Sequence, residues 1–196
     1  MRHFLFDFDG TITRTELLPE IGRACRIERE MTELTRQAIA GIVPFKQSFE
    51  RRVELLRSVP ISDVQAIVDG LPLYEELVSF IQEHSDRCHI VTGNLDAWVG
   101  ATCQRICPSL ICSRAIANGD QLVGVSEILD KATVVSRLNS EVVAVGEGHA
   151  DAGMLDAAQV GIAFGGTHQP ARSVIEVCSH LIYEEKRLCR FLRQLL

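Results

Sequence analysis

The sequence has no long hydrophobic segment. Hydrophobic residues make up 46% of the 196-residue chain, but no stretch approaches the roughly 20 consecutive apolar residues of a membrane-spanning helix. We therefore predict no membrane partner. The first ten residues, MRHFLFDFDG, interrupt their apolar run with aspartates and contain no small-residue cleavage site, so we do not expect them to act as a signal peptide.

A basic stripe is also missing from the sequence. The chain carries 20 Lys and Arg residues against 26 Asp and Glu residues, a net charge of −6. Nucleic-acid-binding proteins concentrate positive charge on one surface, so this balance argues against nucleic acid as the main partner. Low-complexity segments and internal repeats are absent as well, and the apolar fraction is too high for a disordered chain. The length suits one domain, alone or with an insertion.

Cysteine pairs with the spacing C-x-x-C are absent too. The chain has seven cysteines, an odd number that cannot all pair within it. Cys103 and Cys107 lie one helical turn apart, with Cys112 close behind, but no matching second pair follows and we assign them no function. Buried free thiols are the simplest interpretation, and they favour a reducing, cytoplasmic location.

The sequence changes its pattern near Pro72. Residues 3–8 have the alternation of a strand, whereas residues 13–73 show only helical spacing. Beyond Pro72, strands alternate with helices, which is typical of a parallel sheet covered on both faces. We therefore predict an α/β fold. A doubly wound, Rossmann-like parallel sheet forms the core, residues 1–12 and 74–196, and a helical cap, residues 13–73, is inserted after the first strand.

The first strand ends in two closely spaced carboxylates, Asp7 and Asp9, followed by Gly10 and Thr11. Carboxylates this close repel each other unless a cation lies between them or one of them is protonated. A hard divalent cation with oxygen ligands, most simply Mg²⁺, would relieve the repulsion, and Mg²⁺ commonly accompanies phosphates. The alternative is an ordinary polar turn, because Asp-Gly is frequent in turns.

Two further strand ends carry groups suited to an anion. Thr92, Gly93 and Asn94 follow the apolar segment CHIV and precede a helix predicted from about Leu95. Their hydroxyl and backbone N–H groups at the start of a helix would bind an anion, unless Thr92 is only a helix cap. Lys131 falls in the first turn of a helix predicted from about residue 130, where the helix dipole disfavours a cation. It therefore needs an anionic partner, unless it is a solvated surface lysine.

The fourth polar strand end is the segment GEGHAD, which follows EVVAV. Glu147 and Asp151 can complete the oxygen shell of a cation. His149 lies between them, but imidazole is softer than the ligands Mg²⁺ prefers, so we expect it to be exposed and leave its role open. Because the carboxyl ends of parallel strands meet at one edge of a sheet, we expect all four motifs to lie together.

In this order the motifs resemble those of the haloacid dehalogenase superfamily: a D-x-D-x-T loop, a Ser or Thr, a Lys and a terminal acidic pair. Within it the chain looks most like the phosphoserine phosphatases, because residues 35–56, TRQAIAGIVPFKQSFERRVELL, are similar to the cap segment of those enzymes. The resemblance implies a phosphatase that acts through an aspartyl phosphate on phosphoserine or a similar small phosphorylated metabolite, as a monomer or a homodimer.

The resemblance also implies a role for each motif residue. Asp7 would be the nucleophile and Asp9 the general acid and base, while Thr92 and Lys131 would hold the phosphoryl group. A metal ion, Mg²⁺ with Mn²⁺ as an alternative, would be held by Asp7, the backbone carbonyl of Asp9, Glu147 and Asp151. The substrate-binding residues would be Glu16, Phe45, Arg52, Gly93 and Asn94.

Departures from the family pattern keep alternatives open. Glu147 stands where the family has Asp, Ala150 stands where it has Asn, and Asn94-Leu95 replaces a usual Gly-Phe pair. The extra methylene of Glu147 moves its carboxylate outward, and Mg²⁺ demands near-ideal geometry. The alternative functions are phosphotransfer to a small alcohol such as homoserine, hydrolysis of another phosphometabolite, and a metabolite-binding module with weakened catalysis.

Overall fold

The computed structural model describes residues 1–138 and 140–196, and a seven-stranded sheet lies at its centre. The strands are β1 (His3–Phe6), β2 (Cys88–Leu95), β3 (Leu110–Asn118), β4 (Gln121–Glu127), β5 (Val142–Gly146), β6 (Val160–Phe164) and β7 (His180–Ile182). Their order is β4-β3-β2-β1-β5-β6-β7, and only the β3–β4 pair is antiparallel among the neighbouring strands described. The predicted doubly wound parallel sheet is confirmed, and β3–β4 is the hairpin whose turn contains Gly119.

Both faces of the sheet are buried. Phe4 and Phe6 of β1 pack into one hydrophobic cluster, while Leu5 packs into a second, because successive side chains of a strand point to opposite faces. Trp98 belongs to the first cluster and Met154 to the second. With both faces covered, a ligand can reach the sheet at the carboxyl ends of its strands.

Helices provide this cover, and residues 13–73 are helical, as their spacing predicts. An isolated antiparallel bridge between Thr13 and Leu73 closes the base of this segment. Among the described residues, none of the helices is both long and apolar enough to cross a membrane. The α-helices are α1 (Leu17–Ala24), α2 (Glu28–Ile39), α3 (Phe45–Leu56), α4 (Ile61–Asp69), α5 (Glu75–Glu83), α6 (Asp96–Ile106), α7 (Ala152–Ala157), α8 (Arg172–Val177) and α9 (Glu185–Gln194).

Two local predictions near the strand ends are wrong. Thr92 does not lie at the start of a helix, because β2 continues to Leu95 through a register shift against β3 and α6 begins only at Asp96. No α-helix begins near residue 130: Lys131–Thr133 and Val135–Arg137 form two short 3₁₀ turns. The consecutive β-branched residues of this segment have low helix propensity, which favours the shorter turns.

The cysteines are free thiols, as predicted. All seven lie within the described residues, and Cys103, Cys107 and Cys112 are buried. Burial raises the pKa of the Cys103 thiol well above its usual value and raises the pKa of Cys112 to about 11. Thiols of this kind are unreactive, so these three side chains act here as small apolar packing groups.

Two aromatic rings join the helical segment 13–73 to the strand ends. The ring of Phe45 lies so close to Gly93 that a Cβ atom there would be 2.3 Å from the ring. The second ring belongs to His149, which follows β5 and lies against Gly41 of the helical segment. Nδ1 of His149 is 2.8 Å from Oγ of Ser173. His149 is exposed, as predicted, and the structure shows it in contact with the helical segment.

Gly41 and Gly119 provide a matched pair of substitutions. Both have positive φ, 68° and 58°, so alanine at either position should cost about 1–2 kcal/mol of backbone strain. A Cβ atom on Gly41 would lie 2.6 Å from Cγ of His149, whereas a Cβ atom on Gly119 would meet no atom within 4 Å. We expect Gly41→Ala to lower the free energy of unfolding by about 1 kcal/mol more than Gly119→Ala, measured by urea denaturation. Equal losses would show that the His149 contact does not constrain Gly41.

Candidate active site

A cavity of about 70 Å³ lies between the carboxyl ends of β1, β2 and β5 and the helices α1 to α3. The structure brings together every side chain to which the sequence analysis gave a role, although the roles themselves remain predictions. The predicted residues that line the cavity are Asp7, Asp9, Glu16, Phe45, Arg52, Thr92, Gly93, Asn94, Lys131, Glu147 and Asp151.

Lys131 is the central cation of the cavity floor. Its Nζ lies 2.5 Å from Oδ1 of Asp7 and 2.7 Å from Oδ1 of Asp151, and all three side chains are buried. Burial acts to lower the pKa of Lys131, but Asp151 and Asp7 outweigh it and the pKa ends above its usual value. Lys131 therefore stays charged and positions both carboxylates, instead of being a solvated surface lysine.

The loop after β5 fixes the orientation of Asp151. The backbone N–H groups of Glu147 and Gly148 each donate to Oδ2 of Asp151, at 2.9 Å. The other carboxylate oxygen of Asp151 accepts from Lys131. Both oxygens of this buried carboxylate are thus hydrogen-bonded, and the side chain has a fixed position on the cavity floor.

Asp9 lies beside the floor in a different environment. One of its carboxylate oxygens accepts from the backbone N–H of Leu17 at 3.1 Å, and the other accepts from the side-chain amide of Asn94 at 2.5 Å. Burial and then the neighbouring Glu16 raise the pKa of Asp9 to about 7, against the effect of these hydrogen bonds. A carboxyl group with such a pKa can both give and take a proton near neutral pH.

Thr92 also lies on the cavity wall and is buried. Its hydroxyl oxygen accepts from the backbone N–H of Asn94 at 3.2 Å and lies 3.3 Å from the side-chain amide of the same residue. Thr92 and Asp9 therefore share Asn94 as a hydrogen-bonding neighbour. Because β2 extends past Thr92, these groups come from an irregular strand end and not from a helix terminus.

The floor of the cavity has the donor set of a cation site. One oxygen each from Asp7, Glu147 and Asp151 lie within 4.8 Å of one another, and all three residues are buried. Burial and the neighbouring carboxylates raise the pKa values of Asp7 and Glu147 well above their usual range. Oε2 of Glu147 is buried without a hydrogen-bond donor among the described residues. Three carboxylates against one lysine leave a deficit of positive charge, which a hard divalent cation fits.

The cavity roof carries a buried cation, Arg52 of α3. Its Nε donates to the backbone carbonyl of Ser48 at 3.2 Å, and its guanidinium carbon lies 5.9 Å from the ring centres of Phe45 and Phe49. Burial lowers the pKa of Arg52 to about 10, although Asp9 and Glu16 act in the opposite direction. At neutral pH the roof therefore presents a positive charge beside a stacked pair of aromatic rings.

The sequence analysis missed His168, which contacts two carboxylates that line the cavity. Its Nε2 lies 3.0 Å from Oε1 of Glu16 and 3.3 Å from Oε2 of Glu147. Burial acts to lower the pKa of His168, but the hydrogen bond and the charge of Glu16, the carbonyl of Gln169 and the charge of Asp7 together outweigh it, and the pKa is raised. A signal was present in the sequence, because His168 follows the apolar segment VGIAF and thus belongs to a fifth polar strand end.

Comparison with known proteins agrees with this geometry. The family described as haloacid dehalogenase-like hydrolase matches residues 4–156. The phosphoserine phosphatase of Methanocaldococcus jannaschii is 31% identical over 176 residues, which cover 82% of this chain and 83% of that protein. The phosphoserine phosphatase of Halobacterium salinarum is 28% identical over 204 residues and 95% of each chain.

A solved structure gives the same result for the fold. The structure of a phosphoserine phosphatase with a phospho-aspartyl intermediate analogue superimposes with a TM-score of 0.83 and 25% identity, over 96% of this chain and 97% of that one. Sequence motifs, sheet order and cavity residues therefore lead to one assignment. The chain belongs to the haloacid dehalogenase-like hydrolase family.

Proposed function

We propose that this protein is a Mg²⁺-dependent phosphatase that hydrolyses phosphoserine through a phosphorylated Asp7. The observation that carries the proposal is the composition of one small cavity. Its floor holds Asp7 against Lys131, its wall holds Asp9 with a pKa of about 7, and its roof holds Arg52. A nucleophile, a proton donor and a carboxylate-binding cation are the groups that a phosphorylated amino acid requires. The phosphoserine phosphatases among its relatives support this substrate.

In the first half-reaction, a carboxylate oxygen of Asp7 attacks phosphorus in line with the ester oxygen. The new bond joins Asp7 to phosphorus, and the bond between phosphorus and the serine oxygen breaks. Asp9 gives its proton to that oxygen, so that serine leaves as an alcohol. Lys131 and Thr92 stabilise the charge on the remaining phosphoryl oxygens.

In the second half-reaction, Asp9 reverses its role. Its carboxylate removes a proton from a water molecule, whose oxygen forms the new bond to phosphorus. The bond between phosphorus and Asp7 breaks, inorganic phosphate is released, and Asp9 is protonated again. The pKa of about 7 suits both halves of the cycle, because the group must give up and take back its proton at the same pH.

Asp7, Glu147 and Asp151 are the carboxylates that would hold Mg²⁺, with the backbone carbonyl of Asp9 as a further predicted ligand. When bound, the ion supplies positive charge to the phosphoryl oxygens and neutralises the acidic floor. Mn²⁺ is an alternative to Mg²⁺ because Glu147 reaches further than the Asp of the family pattern.

We further propose that residues 13–73 act as a cap over this floor. Support comes from the residues that they contribute to the cavity, which include Glu16, Phe45 and Arg52, and from the contact of Phe45 with Gly93. Arg52 would bind the substrate carboxylate, Glu16 its ammonium group, and Phe45 would exclude water. The free thiols favour a cytoplasmic location.

The first test replaces the nucleophile. Asp7→Asn keeps the size of the side chain but removes the attacking charge, so we expect phosphate release from phosphoserine to fall about a thousandfold or more. Phosphate and serine should appear in equal amounts in the wild-type reaction, and added homoserine should not become phosphorylated. Normal turnover by the variant would contradict the mechanism, and phosphohomoserine would indicate a phosphotransferase.

The second test concerns substrate recognition by Arg52. Arg52→Ala removes the roof cation, so we expect KM for phosphoserine to rise about tenfold to a hundredfold. Phosphoethanolamine lacks the carboxylate, and its weaker turnover should change little. The matched control is Arg51→Ala, since Arg51 is exposed and pairs with Glu30 at 3.3 Å. If both substrates lose turnover equally in Arg52→Ala, then Arg52 does not bind the carboxylate.

The third test concerns the metal. Protein treated with a chelator and then dialysed should release no phosphate until Mg²⁺ or Mn²⁺ is added. In Asp151→Asn, the Mg²⁺ concentration for half-maximal activity should rise about tenfold or more, because a charged ligand is lost. Asp156→Asn is the control, since Asp156 is exposed on α7. Full activity of the chelated wild type would rule out the metal.

A further inference from the structure

The loop after β6 contacts both the backbone and the side chain of Glu147. The backbone N–H of Ala171 donates to the carbonyl oxygen of Glu147 at 2.8 Å. From the same loop, His168 directs Nε2 toward Oε2 of Glu147 at 3.3 Å. The main chain and the carboxylate of Glu147 therefore both contact the same short segment, residues 165–171.

The Nε2 atom of His168 lies close to the carboxylates of both Glu16 and Glu147. Oε1 of Glu16 is 3.0 Å from Nε2 and Oε2 of Glu147 is 3.3 Å from it, so two carboxylates converge on one N–H group. The hydrogen bond of Nε2 goes to Glu16, and the contact with Glu147 is a close polar approach beside it. Oε2 of Glu147 is buried and accepts no hydrogen bond from the described residues, and Nε2 of His168 is a polar atom in contact with it, at 3.3 Å.

The longer side chain of Glu147 explains why such a contact is needed. Glutamate has one more rotatable bond than the aspartate of the family pattern, so its carboxylate has more positions to lose when it binds a cation. A polar partner outside the metal's ligand shell orients a ligating carboxylate and typically strengthens metal binding. The carboxylate of Glu147, at the end of this longer side chain, lies 3.3 Å from Nε2 of His168.

We propose that His168 is a positioning residue for the metal site, which holds the carboxylate of Glu147 in the orientation that binds the divalent cation. The pair Glu147 and His168 replaces the single shorter aspartate of the family pattern. This inference rests on the proposed function, because it takes Asp7, Glu147 and Asp151 as the metal ligands.

The test is a double-mutant cycle on the full chain, read out as the Kd for Mg²⁺ by isothermal titration calorimetry without substrate. We expect His168→Ala to raise Kd about tenfold. In Glu147→Asp protein the carboxylate withdraws from His168, and there the same substitution should change Kd by less than about twofold. His168→Gln, which keeps an N–H donor, should recover part of the loss. Gln169→Ala is the control from the same loop, since its side chain contacts Tyr183.

Each result has a defined meaning. Equal Kd values for wild type and His168→Ala would overturn the positioning role alone, while wild-type protein without Mg²⁺ binding would overturn it together with the proposed metal site. Equal losses in the wild-type and Glu147→Asp backgrounds would also overturn it, because the effect would not pass through Glu147. Two Mg²⁺ ions per wild-type chain and one per His168→Ala chain would make His168 a ligand instead. If His168→Ala unfolds, the cycle is carried out with His168→Gln, where a loss of affinity in the wild-type background and an unchanged Kd in the Glu147→Asp background support the proposal.

Discussion

The buried contact of Lys131 with Asp7 and Asp151 is the interaction on which the site depends. An ammonium group between two carboxylates, all removed from water, is costly unless the geometry is close and the remaining charge is neutralised. The fold supplies the geometry: Asp7 follows β1, Asp151 is fixed by backbone N–H groups after β5, and β1 and β5 are parallel neighbours. The negative charge that remains on the floor is the charge that a divalent cation from outside the chain would neutralise.

Much of the fold could be predicted because its signals are local. The alternation of Phe4, Leu5 and Phe6 distributes one strand between two hydrophobic clusters, and helical spacing in residues 13–73 needs no tertiary information. One error comes from tertiary pairing, at the end of β2, and the other from the low helix propensity of the β-branched residues after Asp130. β2 extends past Thr92 because its irregular end pairs with β3, and the segment after Asp130 forms 3₁₀ turns that bring Lys131 to the floor.

The cavity residues were predictable for a different reason. Parallel strands present their carboxyl ends at one edge, so polar residues at those positions meet whatever their separation in the sequence. The same reasoning would have found His168, which follows β6. The sequence pattern does not predict which side chains His168 contacts. The contacts of His168 with Glu16 and Glu147 depend on the path of a loop and on one extra methylene, and the contact of His149 with Gly41 depends on how the helical segment is seated.

The charge of the cavity bears on whether the site still works as an enzyme. Asp7, Glu147 and Asp151 are buried against one lysine, and burial alone favours the neutral forms of Asp7 and Glu147. Apolar residues of similar size would serve the stability of the fold better. A module that only bound a metabolite through Arg52 and Glu16 would gain nothing from this floor. Its cost to folding fits the proposed phosphoryl transfer, in which Lys131 and a cation held by the carboxylates would stabilise charge that develops on the substrate. Part of the net charge of −6 therefore belongs to the buried carboxylates of this cavity and not to the protein surface.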